Sequence, residues 1–500
     1  MNDPQPPRSL TRRQVLRAGA AGALALGAAG PVGRTFASRV GGLRAADSLP
    51  DPLRAAGTPS DALPFDHIVV MMMENHSFDC YFGMLPRLGQ PAADGFSFDA
   101  HGAPANANPY KGGYVVPLRA TTECQASVTQ NWNSTHKQID GGRMDGFAGT
   151  SPQSMVYWTD EDLPFYYSLA KTFTLANRWF CSAPCQTYPN RRFLLAATAY
   201  GLISTDTKSL QDPPPPNGTL FDRLAQHHVS WKNYFVDLPG TGVIPSIGEK
   251  YPANLVPLSQ FFADCTAGTL PSVSFVDPEF GATGVAGGFA PGTSGDPLSA
   301  QGGSEENPQD IQIGQAEVAK VVNAVLQSPA WPRTLFVWTY DEHGGYYDHV
   351  PPPAALKPDN IPPKLGPTDI PGAYDIYGPR VPTVVMSPYS KPHGVSNVVY
   401  DHTSILATIE AKWNLPAMTA RDANANTLID FLDTRRPALL EPPALAAASD
   451  PAAGEQHCST EQPDLPVHSL PAGASHRSAK RASHRRRRRH HHRRRRHHRR

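Results

Sequence analysis

Two apolar runs, each breaking off into acids and amides, constrain this chain more than any other feature. His67 to Met73 reads HIVVMMM and is followed at once by Glu74, Asn75, His76 and Ser77. Thr334 to Tyr340 reads TLFVWTY and is followed by Asp341, Glu342, His343 and two glycines. Both runs have the length and the β-branched or aromatic content of strands covered on both faces. In an open α/β sheet, ligands gather at the carboxyl ends of the strands. The pattern therefore predicts that Glu74, Asn75, Asp341 and Glu342 meet, although they lie far apart in sequence. An all-oxygen group of this kind suits a hard divalent cation.

Further strands are predicted at 174–180, 230–236, 272–277 and 381–387. Helical patterns fall between them. Asp162 to Lys171 starts acidic and ends basic, as a helix dipole prefers. Residues 311–327 carry Ile, Val and Leu at helical spacing, and 403–413 is amphipathic. Alternating strands and helices argue for an α/β domain with a mostly parallel sheet. The folded body is predicted over residues 61–443. The Gly/Ser/Pro-rich stretch 278–305 and the Pro-rich stretch 351–372 read as long loops that shape a pocket.

The ends differ in kind from this body. Arg12 and Arg13 precede a mildly apolar Ala/Gly-rich stretch, the pattern of a twin-arginine export signal over residues 1–40 with cleavage near Ala37. That stretch is shorter than the roughly 20 apolar residues of a membrane span, and the mature chain has no candidate for one. Residues 41–60 read as a linker. Residues 444–500 turn to Ala, Pro and Ser and then to Arg and His, a composition of a disordered tail. The overall net charge of +1 hides this split. The 13 Arg and one Lys in 477–500 leave a formal charge of −13 on everything else. The tail suits peripheral contact with a membrane or an anionic cell-wall polymer, without specific nucleic-acid recognition. Export permits disulfides among the six cysteines. Cys181 and Cys185 lack a nearby second pair or His for a metal clip, and read as structural, either buried or disulfide-bonded.

A third cluster supplies reactive groups. Thr187 sits on a turn into a helix-like stretch, with Asn190 and Arg191 following. A helix start offers unpaired N–H groups to a phosphate, and a hydroxyl beside a divalent cation can become a nucleophile. Asn190 and Arg191 are candidates for holding phosphoryl oxygens. Thr187 as a plain helix cap is the competing reading. His136, His343, His349 and His402 lie in Gly-rich or capping contexts, where a His could protonate a leaving oxygen or steady phosphoryl charge. Trp132, Tyr346 and Tyr347 read either as a choline-cupping set or as core aromatics.

Seven segments carry a resemblance: HIVVMMMENHSFDCYFG, GGRMDGF, DLPFYYSLAKTFTLANRWFCS, TYPNRRF, TYDEHGGYYDHVPPP, GPRVPTVVMSPYS and YDHTSILATIE. In these the chain resembles the bacterial phosphoesterase family that includes phosphatidylcholine-type phospholipases C, plant non-specific phospholipases C and some acid phosphatases. The resemblance spans roughly residues 66–415. It implies a three-layer α/β sandwich with a mostly parallel central sheet, the alkaline-phosphatase-like core. It implies hydrolysis of a phosphate ester through a phospho-threonine on Thr187. Glu74, Asn75, Asp341 and Glu342 match its metal ligands, with Ca, Mg, Mn, Zn or Fe all open. His136 matches a phosphate-contacting histidine. His343 falls in a family motif as a substrate-binding candidate, and His349 and His402 as catalytic ones.

One departure stands out. Many relatives carry Asp-His-Pro ahead of the helix before the second acidic strand, whereas this chain reads Ser304-Glu305-Glu306-Asn307-Pro308. A carboxylate in place of that His would disfavour dianionic monoesters more than monoanionic diesters. The sequence thus points to an exported, metal-dependent phospholipase C-type phosphodiesterase acting on phospholipids. An acid phosphatase on the same scaffold is the alternative. A non-catalytic binder of anionic surfaces is the reading from a different class, and the complete acid, Thr and Arg set argues against it.

Overall fold

The computed structural model describes residues 42–125, 127–281, 302–449 and 466–469. The expected export signal and the Arg/His run lie outside these residues. An eight-stranded sheet forms the centre. Its strands are β1 (His67–Met73), β2 (Thr174–Ala176), β3 (Trp231–Phe235), β4 (Leu255–Pro257), β5 (Val273–Val276), β6 (Thr334–Tyr340), β7 (Val384–Met386) and β8 (Val395–Ser396). Their order across the sheet is β8-β2-β7-β6-β1-β5-β3-β4. β7 runs antiparallel to both its neighbours, and the other pairings are parallel.

The two runs that dominate the sequence are the two central partners. β1 pairs with β6 from His67↔Thr334 through Met73↔Tyr340. Every residue of β6 is buried, and so is every residue of β1 after His67. Burial on both faces is why neither run alternates with polar residues.

The helices used below are α1 (Phe78–Phe82), α2 (Trp132–Ile139), α3 (Pro164–Thr172), α4 (Thr187–Ala196), α5 (Leu220–Gln226), α6 (Leu258–Ala267), α7 (Ile311–Leu326), α8 (Thr403–Trp413) and α9 (Ala420–Asn424). α7 packs against α3 and α6, whereas α4 packs against α5 and α8, and α8 against α9. These two sets are the outer layers of an α/β sandwich. Several boundaries differ from expectation for local reasons. β2 stops at Ala176, where the Asn177 carboxamide turns to Asp94, Ala92 and Asn397. α3 opens at Pro164, a first-turn position that needs no N–H. β4 and β8 are too short to leave a hydrophobic pattern.

Segments outside the expected body also touch it. The Ser60 N–H donates to Lys412 O, and Asn414 Nδ2 donates to Asp51 O. Tyr114 and His468 pair by backbone and stack their rings. Cys80, Cys181, Cys185 and Cys265 are buried free thiols, which selects the first of the two readings for Cys181 and Cys185. Cys124 is disulfide-bonded, and Cys458 lies outside the described residues.

A buried ionic group ties α1 to the chain after β6. Arg380 donates to Asp79 Oδ1 at 3.0 Å and to Asp348 Oδ1 at 3.0 Å. His349 Nδ1 lies 2.7 Å from Asp79 Oδ2. Burial opposes the His349 charge, but Asp79 and Asp94 outweigh it and raise its pKa from 6.5 to about 10. The stability from this raised pKa is complete below pH 6.5 and disappears as pH rises through about 10. We expect the stability gap between wild type and His349→Asn to shrink between those limits. Urea denaturation at a series of pH values measures it, and a pH-independent gap contradicts a charged His349.

Candidate active site

The β1–β6 register determines where the acids go. Met73 and Tyr340 are partners, and the Asp341 N–H donates to Met73 O at 3.1 Å. Glu74-Asn75 and Asp341-Glu342 therefore leave adjacent strands at one level. β5 contributes Asp277 at the same edge, directly after Val276. This acid was missed from sequence, although it follows its strand as Glu74 and Asp341 follow theirs.

Thr187 is the first residue of α4 and arrives over this edge. One head atom of the Asn75 carboxamide lies 3.3 Å from Thr187 Oγ1 and 2.9 Å from each of Asp341 Oδ1 and Glu342 Oε1. With its nitrogen inward, the amide donates to all three oxygens. With its oxygen inward, four oxygens converge with no N–H donor from the amide among them, an arrangement that suits a hard cation. Among the described residues, no three His, Cys, Asp or Glu side chains form a metal-holding group by themselves. The convergent set is instead two carboxylates, a carboxamide and a hydroxyl, and its chemistry fits an oxygen-seeking divalent ion.

Electrostatics support that fit. Burial raises the pKa values of Glu74, Asp341 and Glu342; the Glu74 charge adds to the rise at Asp341 and Glu342, and Arg191 opposes it at Glu74 and Asp341. Glu306 joins them. It is raised by burial, then by Glu74, Asp341 and Glu342, and it hydrogen-bonds Glu74. Of the two candidates for the place of the absent His, Glu306 is thus the one facing the cluster. Asn307 Oδ1 instead accepts from the Tyr346 hydroxyl at 2.8 Å.

Several expected roles change. Arg191 Nε donates to Asp341 Oδ2 at 3.1 Å, and its Nη2 lies 3.2 Å from Glu74 Oε1 and 3.3 Å from Met72 O. It is buried and engaged with carboxylates, and in this structure it serves as their internal counter-ion. Asn190 is fully buried, and its carboxamide joins Ala183 N, Ala183 O, Cys185 O and Gln186 O. It staples the turn that presents Thr187 instead of reaching a substrate.

The histidines divide similarly. Trp179 Nε1 faces His402 Nδ1 at 3.4 Å, and His402 Nε2 lies 2.7 Å from Asp341 O. Burial lowers its pKa to about 4, so it is a neutral pin on the strand end. His343 lies between Glu342 Oε2, at 3.2 Å, and Gln138 Oε1, at 2.9 Å, with burial lowering its pKa to about 3. His349 belongs to the Asp79–Arg380 group and is not brought into the acid cluster. His136 bonds through Nδ1 to Trp132 O at 2.7 Å, and burial lowers its pKa. Its helix also carries Gln138, which reaches His343. Trp132, Tyr346 and Tyr347 are buried, and Tyr346 stacks on His76. They are core aromatics and leave no open choline cup.

The phosphoesterase family model matches residues 65–416, which contain every group just described. The chain belongs to the phosphoesterase family. Non-specific phospholipase C6 of Arabidopsis thaliana is 30% identical over 413 residues, covering 76% of this chain and 74% of that protein. Phospholipase C A of Mycobacterium tuberculosis (strain ATCC 25618 / H37Rv) is 28% identical over 420 residues, covering 73% and 76%. An alkaline phosphatase superfamily protein of Vibrio parahaemolyticus aligns at a TM-score of 0.32 and 10% identity, over 69% of this chain and 78% of that one. This phosphoesterase is a hydrolase of phosphoric ester bonds.

Removing the internal counter-ion leaves Glu74 and Asp341 buried and uncompensated. We expect Arg191→Met to cost about 3–5 kcal/mol in EDTA-treated protein. Guanidinium denaturation measures it, and a loss below about 1 kcal/mol, the range of exposed ion pairs, contradicts this role.

Proposed function

We propose that this phosphoesterase is an exported, metal-dependent phosphodiesterase of the phospholipase C type. It cleaves a phospholipid to diacylglycerol and a phosphorylated head group through a phospho-threonine. The observation that carries the reading is the approach of the Thr187 hydroxyl to Asn75, beside Asp341 and Glu342, at the start of α4. The named phospholipases C among its relatives support the substrate class. The twin arginines support export. No described helix is long and apolar enough to cross a membrane.

Asn75, Asp341, Glu342 and Thr187 would hold the ion, with Glu74 beside them. When bound, a divalent ion supplies Lewis-acid polarisation of a phosphoryl oxygen and favours the deprotonated hydroxyl. The protein's own residues account for the rest. Thr187 Oγ attacks phosphorus, forming one P–O bond as the bond to the diacylglycerol oxygen breaks. The threonine proton ends on that leaving oxygen. His136, which matches the family's phosphate-contacting histidine, is assigned to relay it; its Nδ1 is engaged with Trp132 O. Water then attacks the phospho-threonine, releases the phosphorylated head group and restores the hydroxyl.

Thr187→Ala should retain the far-UV spectrum and lose about 10³-fold or more of kcat on phosphatidylcholine. Activity within about tenfold of wild type sinks the nucleophile assignment. Glu306 gives a second test, since it stands where relatives carry a His and offers no positive charge to a dianionic substrate. Glu306→His should raise kcat/KM for p-nitrophenyl phosphate relative to bis(p-nitrophenyl) phosphate. An unchanged ratio removes Glu306 from substrate selection.

A further inference from the structure

Glu305 is fully buried beside the acid cluster, yet it takes no part in the chemistry above. Three phenols converge on its carboxylate. Tyr81 donates to Oε2 at 2.6 Å, Tyr340 donates to Oε2 at 2.5 Å, and Tyr166 donates to Oε1. The donors come from different parts of the fold. Tyr81 lies in α1, just after Glu74-Asn75. Tyr340 ends β6, directly before Asp341. Tyr166 belongs to α3 in an outer layer.

The backbone is built to accept this side chain. Glu305 has φ +74°, a left-handed conformation that a residue with a Cβ keeps only where its surroundings determine it. A Cβ at Gly314 of α7 would stand 2.3 Å from Glu305 Cγ, so the helix makes room only as glycine. Gln309 Oε1 accepts from Ser304 N, Ser304 Oγ and Glu305 N, at 2.8–2.9 Å.

The residues on either side of Glu305 both hold Glu74. The Glu74 N–H donates to Ser304 O at 2.9 Å, and Glu306 hydrogen-bonds the Glu74 side chain. Arg191 holds Glu74 from elsewhere in the site.

We propose that Glu305 is a positioning residue: its clamp of three tyrosines fixes the Ser304–Glu306 segment against Glu74 and the end of β6, and thereby steadies the adjoining Asn75 and Asp341 for cation binding. This rests on the reading of the acid cluster as a cation site. Groups that orient metal ligands from behind typically change affinity 10- to 100-fold when removed.

The test is Mn²⁺ binding by isothermal titration calorimetry to the full-length, EDTA-treated protein, beside kcat and KM at saturating Mn²⁺. Glu305→Ala should weaken Mn²⁺ binding at least about tenfold. Glu305→Gln, whose carbonyl oxygen still accepts from phenols, should recover most of that loss. Tyr166→Phe removes one donor and should weaken binding by an intermediate factor, which keeps the test open if Glu305→Ala does not fold. Glu410→Gln, at a buried acid of α8, is the control for a merely structural role and should lower Tm without changing Mn²⁺ affinity.

A wild-type protein that binds no Mn²⁺ overturns the cation reading and this inference together. A wild type that binds Mn²⁺, with Glu305→Ala or Tyr166→Phe binding it equally well, overturns this inference alone.

Discussion

The in-register parallel pairing of β1 with β6 is the constraint on which the rest of the site depends. Met73 and Tyr340 face each other, so the chain leaves both strands at one level. Glu74, Asn75, Asp341 and Glu342 are then neighbours without any loop having to carry them together. A shift of one residue in this pairing would exchange the sheet faces of an entire run. Full burial of β6, and of nearly all of β1, opposes such a shift.

Concentrating acids at a buried sheet edge is costly, and much of the surrounding structure offsets that cost. Arg191 supplies positive charge from α4, between Glu74 and Asp341. The Gly344 N–H donates to Glu342, and the Glu342 N–H to Asp341. His402 holds the Asp341 carbonyl. What remains uncompensated is expressed as carboxyl pKa values raised by burial and, at Asp341 and Glu342, by neighbouring carboxylates. The same burial that makes the clustered acids unfavourable would favour an oxygen-binding cation among them.

Asn190 and Arg191 illustrate how motif chemistry and structural chemistry diverge. Both residue types suit phosphate, and both follow a hydroxyl at a helix start. Yet Asn190 closes the turn on Ala183 and Cys185, and Arg191 points at carboxylates. Their contribution to the site is to present Thr187 and to steady Glu74 and Asp341. His402 and His343 were legible as residues of the site region, but not in their roles. Whether an imidazole moves protons depends on its partners and burial, which sequence spacing does not encode.

The sequence by itself determined the fold class, the two central strands and the acids at their ends. Those follow from local hydrophobic content and from an abrupt change to polar side chains. It also marked Thr187, because a hydroxyl at a helix start is a local pattern. Only the tertiary structure decided which carboxylates share a neighbour, that β7 runs antiparallel, and that Asp277 and Glu306 join the edge. It alone revealed Glu305 among three tyrosines. Those facts depend on side chains from distant segments meeting in a water-poor interior, where a hydrogen bond or a like charge has far more effect than in the open chain.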